Sequence, residues 1–162
     1  MNWKVLVIAF LSIGGLLVSP VLSQGPSPVK TALSAFLAGR VVEENLKIEY
    51  NDIHGLWGGE FITLDGAGHY YRKQVEHGGK TTEARNNISR SEIDKVVNIV
   101  LEVEAWVQIA PSAAPVPDES RATLKISVGS DTAMIWERYN ELLKNHRVGR
   151  IKDALRVIGE RK

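Results

Sequence analysis

The chain has 162 residues, no cysteine, and 20 basic against 19 acidic residues. This length suits one domain with a sizeable core, and the absence of cysteine excludes thiol catalysis, thiolate metal sites and disulfides. The two signs of charge are balanced, and nucleic-acid-binding proteins normally carry a basic patch. We therefore expect no nucleic-acid partner.

Residues 1–23 have the pattern of a secretory signal peptide. Lys4 precedes an apolar run from Val5 to Val18, and Val21 and Ser23 supply the small residues that signal peptidase needs before its cut. We therefore predict export to the periplasm or the extracellular space, with no stable membrane insertion after cleavage.

The alternative is an uncleaved membrane anchor at residues 5–22. A bilayer span needs about 20 predominantly apolar residues, whereas this run is shorter and is interrupted by Pro20. Length therefore favours cleavage over anchoring. The absence of cysteine fits a bacterial exported protein better than a small secreted eukaryotic domain, because such domains are commonly rich in disulfides.

Residues 24–45 are predicted to be an N-terminal lead-in that contains one short helix. Ser27 stands before Pro28 and is a candidate cap for a helix that runs to Leu37, with Gly39 just past its end. Residues 46–162 then form the single folded domain.

Three strands are predicted at the start of this domain. Residues 46–51 alternate apolar and polar side chains, which is typical of a strand with one buried face. Residues 61–64 and 69–75 flank the glycine-containing turn 65–68 and predict a hairpin. Residues 77–87 are polar and contain glycine, so we interpret them as a surface loop.

A helix, two strands and a final helix follow. Ser89 and Glu92 form a capping box ahead of an apolar stripe that recurs at helical spacing as far as Val107. The Pro-rich segment Ala110–Asp118 predicts an extended connector. The remaining predicted elements are strands at 122–128 and 132–137 and a helix with an apolar stripe at Val148, Ile151, Leu155 and Ile158.

The predicted order is strand, strand, strand, helix, strand, strand, helix. We expect an α+β fold in which a single antiparallel sheet of about five strands has helices packed on one face.

The sequence contains no recognisable catalytic, cofactor or metal motif. None of the four histidines has another at helical i, i+4 spacing, and there is no G-x-S-x-G turn for a serine nucleophile. The glycine-rich segment 55–59 lacks the Lys-Ser/Thr pair of a phosphate-binding loop. We therefore predict that the protein is not an enzyme and uses no cofactor.

Leu56 and Trp57 are large apolar residues that lie outside the predicted strands and helices. They lie in a connection next to Gly58 and Gly59, and glycines allow a loop to display its tip. Tryptophan is enriched among residues that anchor protein interfaces. These four residues are the candidate partner site, although the pattern favours a Trp57 that folds back to cap one end of the core.

Several short motifs resemble a set of uncharacterised exported bacterial proteins. They are Ile48-Glu49-Tyr50, the Gly58-Gly59 turn, the Ser-x-x-Glu helix start, Pro117-Asp118 leading into the strand at 122–128, and a final short helix. Over most of residues 46–158, through these short motifs, the chain is more distantly similar to emfourin, a small α+β inhibitor of thermolysin-type metalloproteases. This resemblance implies protease inhibition, but it carries over no inhibitory residue.

Three functions are therefore considered. The first is an exported, non-enzymatic module that binds a secreted protein, with protease inhibition as one form of that binding. The second is a small-ligand-binding protein or enzyme that uses a pocket formed by His69, Glu76 and His77. The third is a structural envelope protein that self-associates through a sheet edge or a helix face.

Overall fold

The computed structural model describes residues 27–107, 121–138 and 146–160. The predicted signal peptide (1–23) and the Pro-rich connector (110–118) lie outside this range. The described part is an α+β fold with one antiparallel sheet of six strands and three helices. The elements are α1 (Pro28–Leu37), β1 (Leu46–Asn51), β2 (Gly59–Asp65), β3 (His69–Val75), β4 (Thr81–Asn87), α2 (Arg90–Val103), β5 (Arg121–Val128), β6 (Asp131–Arg138) and α3 (His146–Glu160).

The strands lie in the order β4-β3-β2-β1-β5-β6, so β1 is central. Strands β1 to β4 form a meander, and β5 then pairs with the free side of β1. The register places Ile48 opposite Leu64 on one side and opposite Ile126 on the other. These three residues are fully buried and form an apolar row across the middle of the sheet.

One core joins the buried face of the sheet to the apolar stripes of the helices. Helix α1 contacts β5 and β6, α3 contacts β3 and β4, and α2 contacts both other helices. The apolar stripe of α2 is buried as its spacing predicts. Strands β1 and β5 alternate between buried and more accessible residues, as their sequence patterns predict.

Within the described residues the sheet has six strands, one more than the roughly five expected. The polar composition of residues 77–87 predicts a surface loop, but Thr81–Asn87 is the edge strand β4. Six of its seven residues are exposed, and Asn86 is half-buried. An edge strand that is accessible on both faces needs no apolar alternation, so the sequence carries no period-two signal there.

Two helix ends also differ from expectation. The Ser27 side chain makes no capping hydrogen bond to α1, although Gly39 does take a positive φ of 68° past the end of that helix. Helix α2 has the expected capping box at Ser89 and Glu92 but ends at Val103. Glu104 then adopts a left-handed φ of 46° and a short 3-10 turn follows, so the apolar stripe stops before Val107.

Candidate functional site

The loop between β1 and β2 is a small closed hairpin. The His54 amide donates to the Gly58 carbonyl at 2.7 Å, and the Gly58 amide donates back to the His54 carbonyl at 3.0 Å. The His54 Nδ1 atom accepts hydrogen bonds from the amides of Leu56 at 2.9 Å and Trp57 at 3.3 Å. Four amides of the loop are therefore bonded within the loop itself, which fixes the backbone that carries its two large apolar side chains.

The tip of this loop, Leu56 and Trp57, is exposed to solvent. The two residues are 65% and 63% exposed, so Trp57 does not fold back to cap the core. One side of the Trp57 ring stacks on His77, with ring centroids 5.4 Å apart and planes 21° from parallel. The His77 Nδ1 atom in turn lies 2.8 Å from the Leu56 carbonyl oxygen and donates to it. The tip is thus supported from beneath by the turn that follows β3.

Gly58 and Gly59 hold the loop close to its neighbours. Their φ values are 78° and 140°, a region that residues with a side chain rarely adopt. A Cβ on Gly58 would collide with the Val75 carbonyl, and one on Gly59 would collide with the Asp52 carbonyl. Gly58 is also buried. Of the four candidate residues, two therefore form the exposed tip and two fix its position.

A buried carboxylate anchors the first end of the loop. Asp52 is 1% exposed, and its Oδ2 atom accepts hydrogen bonds from the Tyr50 hydroxyl at 2.7 Å and the Lys152 ammonium at 2.6 Å. Its Oδ1 atom accepts from the Glu60 amide at 2.5 Å. Three donors therefore satisfy this carboxylate, and one of them comes from α3.

A second buried carboxylate anchors the other end. Glu60 is 7% exposed, and its Oε2 atom accepts from the Arg72 Nε atom at 2.8 Å. Its Oε1 atom lies 3.5 Å from Arg156 Nε and 3.8 Å from Lys152 Nζ. Arg72 also reaches Glu160 at 3.2 Å. We call Asp52, Glu60, Arg72 and Lys152, together with the more exposed Arg156 and Glu160 at their rim, the buried charge network.

This network was not predicted from the sequence, although the sequence contains signals of it. Glu60 has the same parity as the buried residues Ile62 and Leu64, so period two places its side chain on the buried face. Lys152, Arg156 and Glu160 are spaced by four and share one face of α3. Charged residues at inward positions indicate a paired cluster, because an isolated buried charge is costly.

The structure does not bring together the residues of the alternative pocket. His69 begins β3 and lies 2.8 Å from Asp65 Oδ2, whereas His77 lies beyond the far end of that strand, beside the loop tip. Glu76 lies 3.9 Å from Lys80. A seven-residue strand is roughly 20 Å long, which separates the two histidines. His69 instead lines a shallow depression of about 470 Å³ over β1 to β4.

Within the described residues, no group of three or more histidines or carboxylates is arranged to hold a metal ion. The same part of the chain contains no helix with the length and apolar character needed to cross a bilayer. No family model matches the chain, and no curated protein matches it.

Proposed function

We propose that this protein is an exported, non-enzymatic module that binds another protein through Leu56 and Trp57. The observation that carries the proposal is the exposure of these two adjacent apolar side chains on a loop whose backbone is internally bonded. Gly58 and Gly59 act as positioning residues, and the buried charge network fixes both ends of the loop. In this proposal all three helices cover one face of the sheet.

A rigid tip favours binding because less conformational entropy is lost when the complex forms. Trp57 is already stacked on His77, and its ring needs no rearrangement to present its free face. Tryptophan anchors commonly account for a large share of interface energy when a partner pocket encloses them. The chemistry therefore fits a protein partner with an apolar pocket.

The partner that we propose is a secreted thermolysin-type metalloprotease. Support comes from the signal-like segment at residues 1–23 and from the resemblance to emfourin over residues 46–158. The location is tested by N-terminal sequencing of protein from the native host. A new N-terminus at Gln24 in the exported fraction is expected, and intact Met1 in a membrane pellet would contradict export by cleavage.

The binding proposal is tested by inhibition of thermolysin, assayed with a small peptide substrate. We compare wild type with Trp57→Ala and with Met134→Ala, a matched control because Met134 is 68% exposed on β6, away from the loop. Loss of a hot-spot side chain is expected to weaken inhibition roughly 30-fold. The control should inhibit like wild type, and all three proteins should unfold at the same urea concentration.

Two results count against the proposal in different ways. A wild-type protein that inhibits no member of a panel of thermolysin-type proteases at micromolar concentration removes the inhibitor assignment. A Trp57→Ala protein that inhibits as well as wild type keeps the activity but removes the loop as its contact surface.

A further inference from the structure

The outer edge of β4 carries backbone groups that bond to nothing within the described residues. The Ile88 amide donates to the Gly68 carbonyl at 2.8 Å, and the Glu76 amide donates to the Lys80 carbonyl at 2.8 Å. Both of these bonds join even-numbered residues. Because hydrogen-bonded and non-bonded pairs alternate along an antiparallel ladder, the even-numbered residues of β4 are the ones whose backbone bonds to β3. The odd-numbered residues therefore direct their amides and carbonyls outward: Thr81, Glu83, Arg85 and Asn87.

Strand β4 carries two charged residues, Glu83 and Arg85, but lacks other features that prevent edge strands from pairing. Within the described residues it has no proline and no lysine, and its residues are exposed except for half-buried Asn86. The opposite edge differs, because β6 contacts the 3-10 turn at Ala105–Val107. Strand β4 is therefore the more accessible of the two edges for pairing with another strand.

The sequence of β4 is complementary to itself in one antiparallel register. A two-fold axis through Ala84 places Glu83 opposite Arg85 of the second strand, and Arg85 opposite Glu83. The same register pairs Thr81 with Asn87 at both ends, so all seven residues overlap. In this register each odd-numbered residue of β4 faces an odd-numbered residue of the second copy. Both partners direct their amide and carbonyl towards each other, as a hydrogen-bonded pair of an antiparallel ladder requires. Charge and hydrogen-bonding pattern thus select the same register.

The neighbouring strand supports this charge pattern. On β3, Lys73 lies opposite Glu83 and Tyr71 lies opposite Arg85. The Arg85 guanidinium lies over the Tyr71 ring at 4.8 Å, and within one chain it is 3.3 Å from Glu83. In the paired register, Glu83 would lie between Lys73 of its own chain and Arg85 of the other copy.

We propose that a second copy of this chain binds at β4, forming a symmetric dimer in which two six-stranded sheets become continuous. The interface is a two-fold β4–β4 pair centred on Ala84, with two Glu83–Arg85 ion pairs. The proposed interface includes neither Leu56 nor Trp57, so dimerisation does not depend on the function proposed for the tip.

The test is a charge-swap series measured by sedimentation equilibrium over a roughly hundredfold range of concentration. Wild type is expected to dimerise reversibly. Glu83→Arg and Arg85→Glu each place like charges opposite one another twice per dimer, and each should weaken dimerisation about tenfold. The double swap Glu83→Arg with Arg85→Glu restores opposite charges and should return the affinity close to that of wild type.

Amide hydrogen exchange on wild type gives a second measurement that does not rely on variants. Exchange at Glu83 and Arg85 should slow as protein concentration rises, because their amides become bonded only in the dimer. Exchange at Ala84, which bonds to β3 in either state, should be much less sensitive to concentration. A monomer at every concentration, a double swap as weak as the single reversals, or equal concentration dependence at odd and even residues would each overturn the proposal.

Discussion

Helix α3 uses ion pairs in two different environments. At Lys152 it enters the buried charge network, where the side chains of Lys152 and Asp52 are 19% and 2% exposed. Two residues earlier, Arg150 makes a two-pronged pair with Glu102 at 2.9 and 3.0 Å, but these side chains are 47% and 63% exposed. The exposed pair has two parallel hydrogen bonds, but because it is in contact with water it contributes less to the free energy of unfolding.

The difference follows from hydration. In the exposed pair, the Arg150 guanidinium lowers the pKa of the Glu102 carboxyl mainly by hydrogen bonding, but water can replace either partner. Asp52 cannot regain water without opening the core, so its charge requires Lys152 and the other donors. Burial therefore determines which ion pair the fold depends on.

Removing Lys152 is expected to have the largest effect. Lys152→Ala leaves the buried Asp52 carboxylate without its cation, so the free energy of unfolding should fall by about 3–5 kcal/mol. Urea unfolding measures the change, and Arg150→Ala is the matched control on the same helix, for which we expect a much smaller shift in midpoint. Equal shifts for the two variants would contradict the comparison.

A rescue variant sharpens the same point. Asp52→Asn with Lys152→Met removes both charges while keeping similar volumes, and it should recover a large part of the lost stability, because no unpaired charge remains. If the double variant is as unstable as Lys152→Ala, then packing rather than charge accounts for the loss.

Substitution of Gly58 should have an intermediate effect. Gly58→Ala forces a side chain into a left-handed conformation and against the Val75 carbonyl, so we expect a loss of about 1–3 kcal/mol in unfolding free energy. Gly55→Ala is the control, because Gly55 has no positive φ and its Cβ would meet open space. A Gly58→Ala protein as stable as Gly55→Ala would show that the loop is not held as described.

The smallest effect at neutral pH is expected at Tyr70, a buried polar group without a charge. Its hydroxyl has no hydrogen-bond partner within the described residues, and burial raises its pKa to about 12. The folded state therefore holds this proton more tightly than the unfolded chain, whose tyrosine titrates near 10. The resulting stability is complete below pH 10 and is lost as the pH rises towards 12.

Tyr70→Phe tests this dependence. The variant should match or slightly exceed wild type below pH 10, because an unsatisfied hydroxyl is removed. Between pH 10 and 12 it should lose less stability than wild type, as measured by urea unfolding at each pH. Parallel losses for the two proteins would show that the Tyr70 hydroxyl is hydrated.

Sequence periodicity predicted the strands and helices that have one face in the core and the other towards solvent. Strand β1 and helix α2 were recognised because each has one apolar side, and the core requires that pattern. Strand β4 was missed because it is exposed at an edge and has no apolar side.

The candidate site was predicted only in part. Leu56 and Trp57 were candidates for a displayed tip, but the pattern favoured a Trp57 packed on the core, and the structure exposes both side chains instead. The support from His77 and the anchoring by Asp52 were not predicted, because both depend on contacts between distant parts of the chain. Local patterns do not specify which distant residues meet.

The central position of β1 also constrains the order of assembly. During synthesis, the meander β1 to β4 emerges well before β5. One side of β1 then has no neighbour until Arg121–Val128 arrives, since β5 supplies its second row of hydrogen bonds. A chain interrupted ahead of this segment would leave β1, with its apolar face, as an unpaired edge of the sheet, a form prone to aggregation and proteolysis.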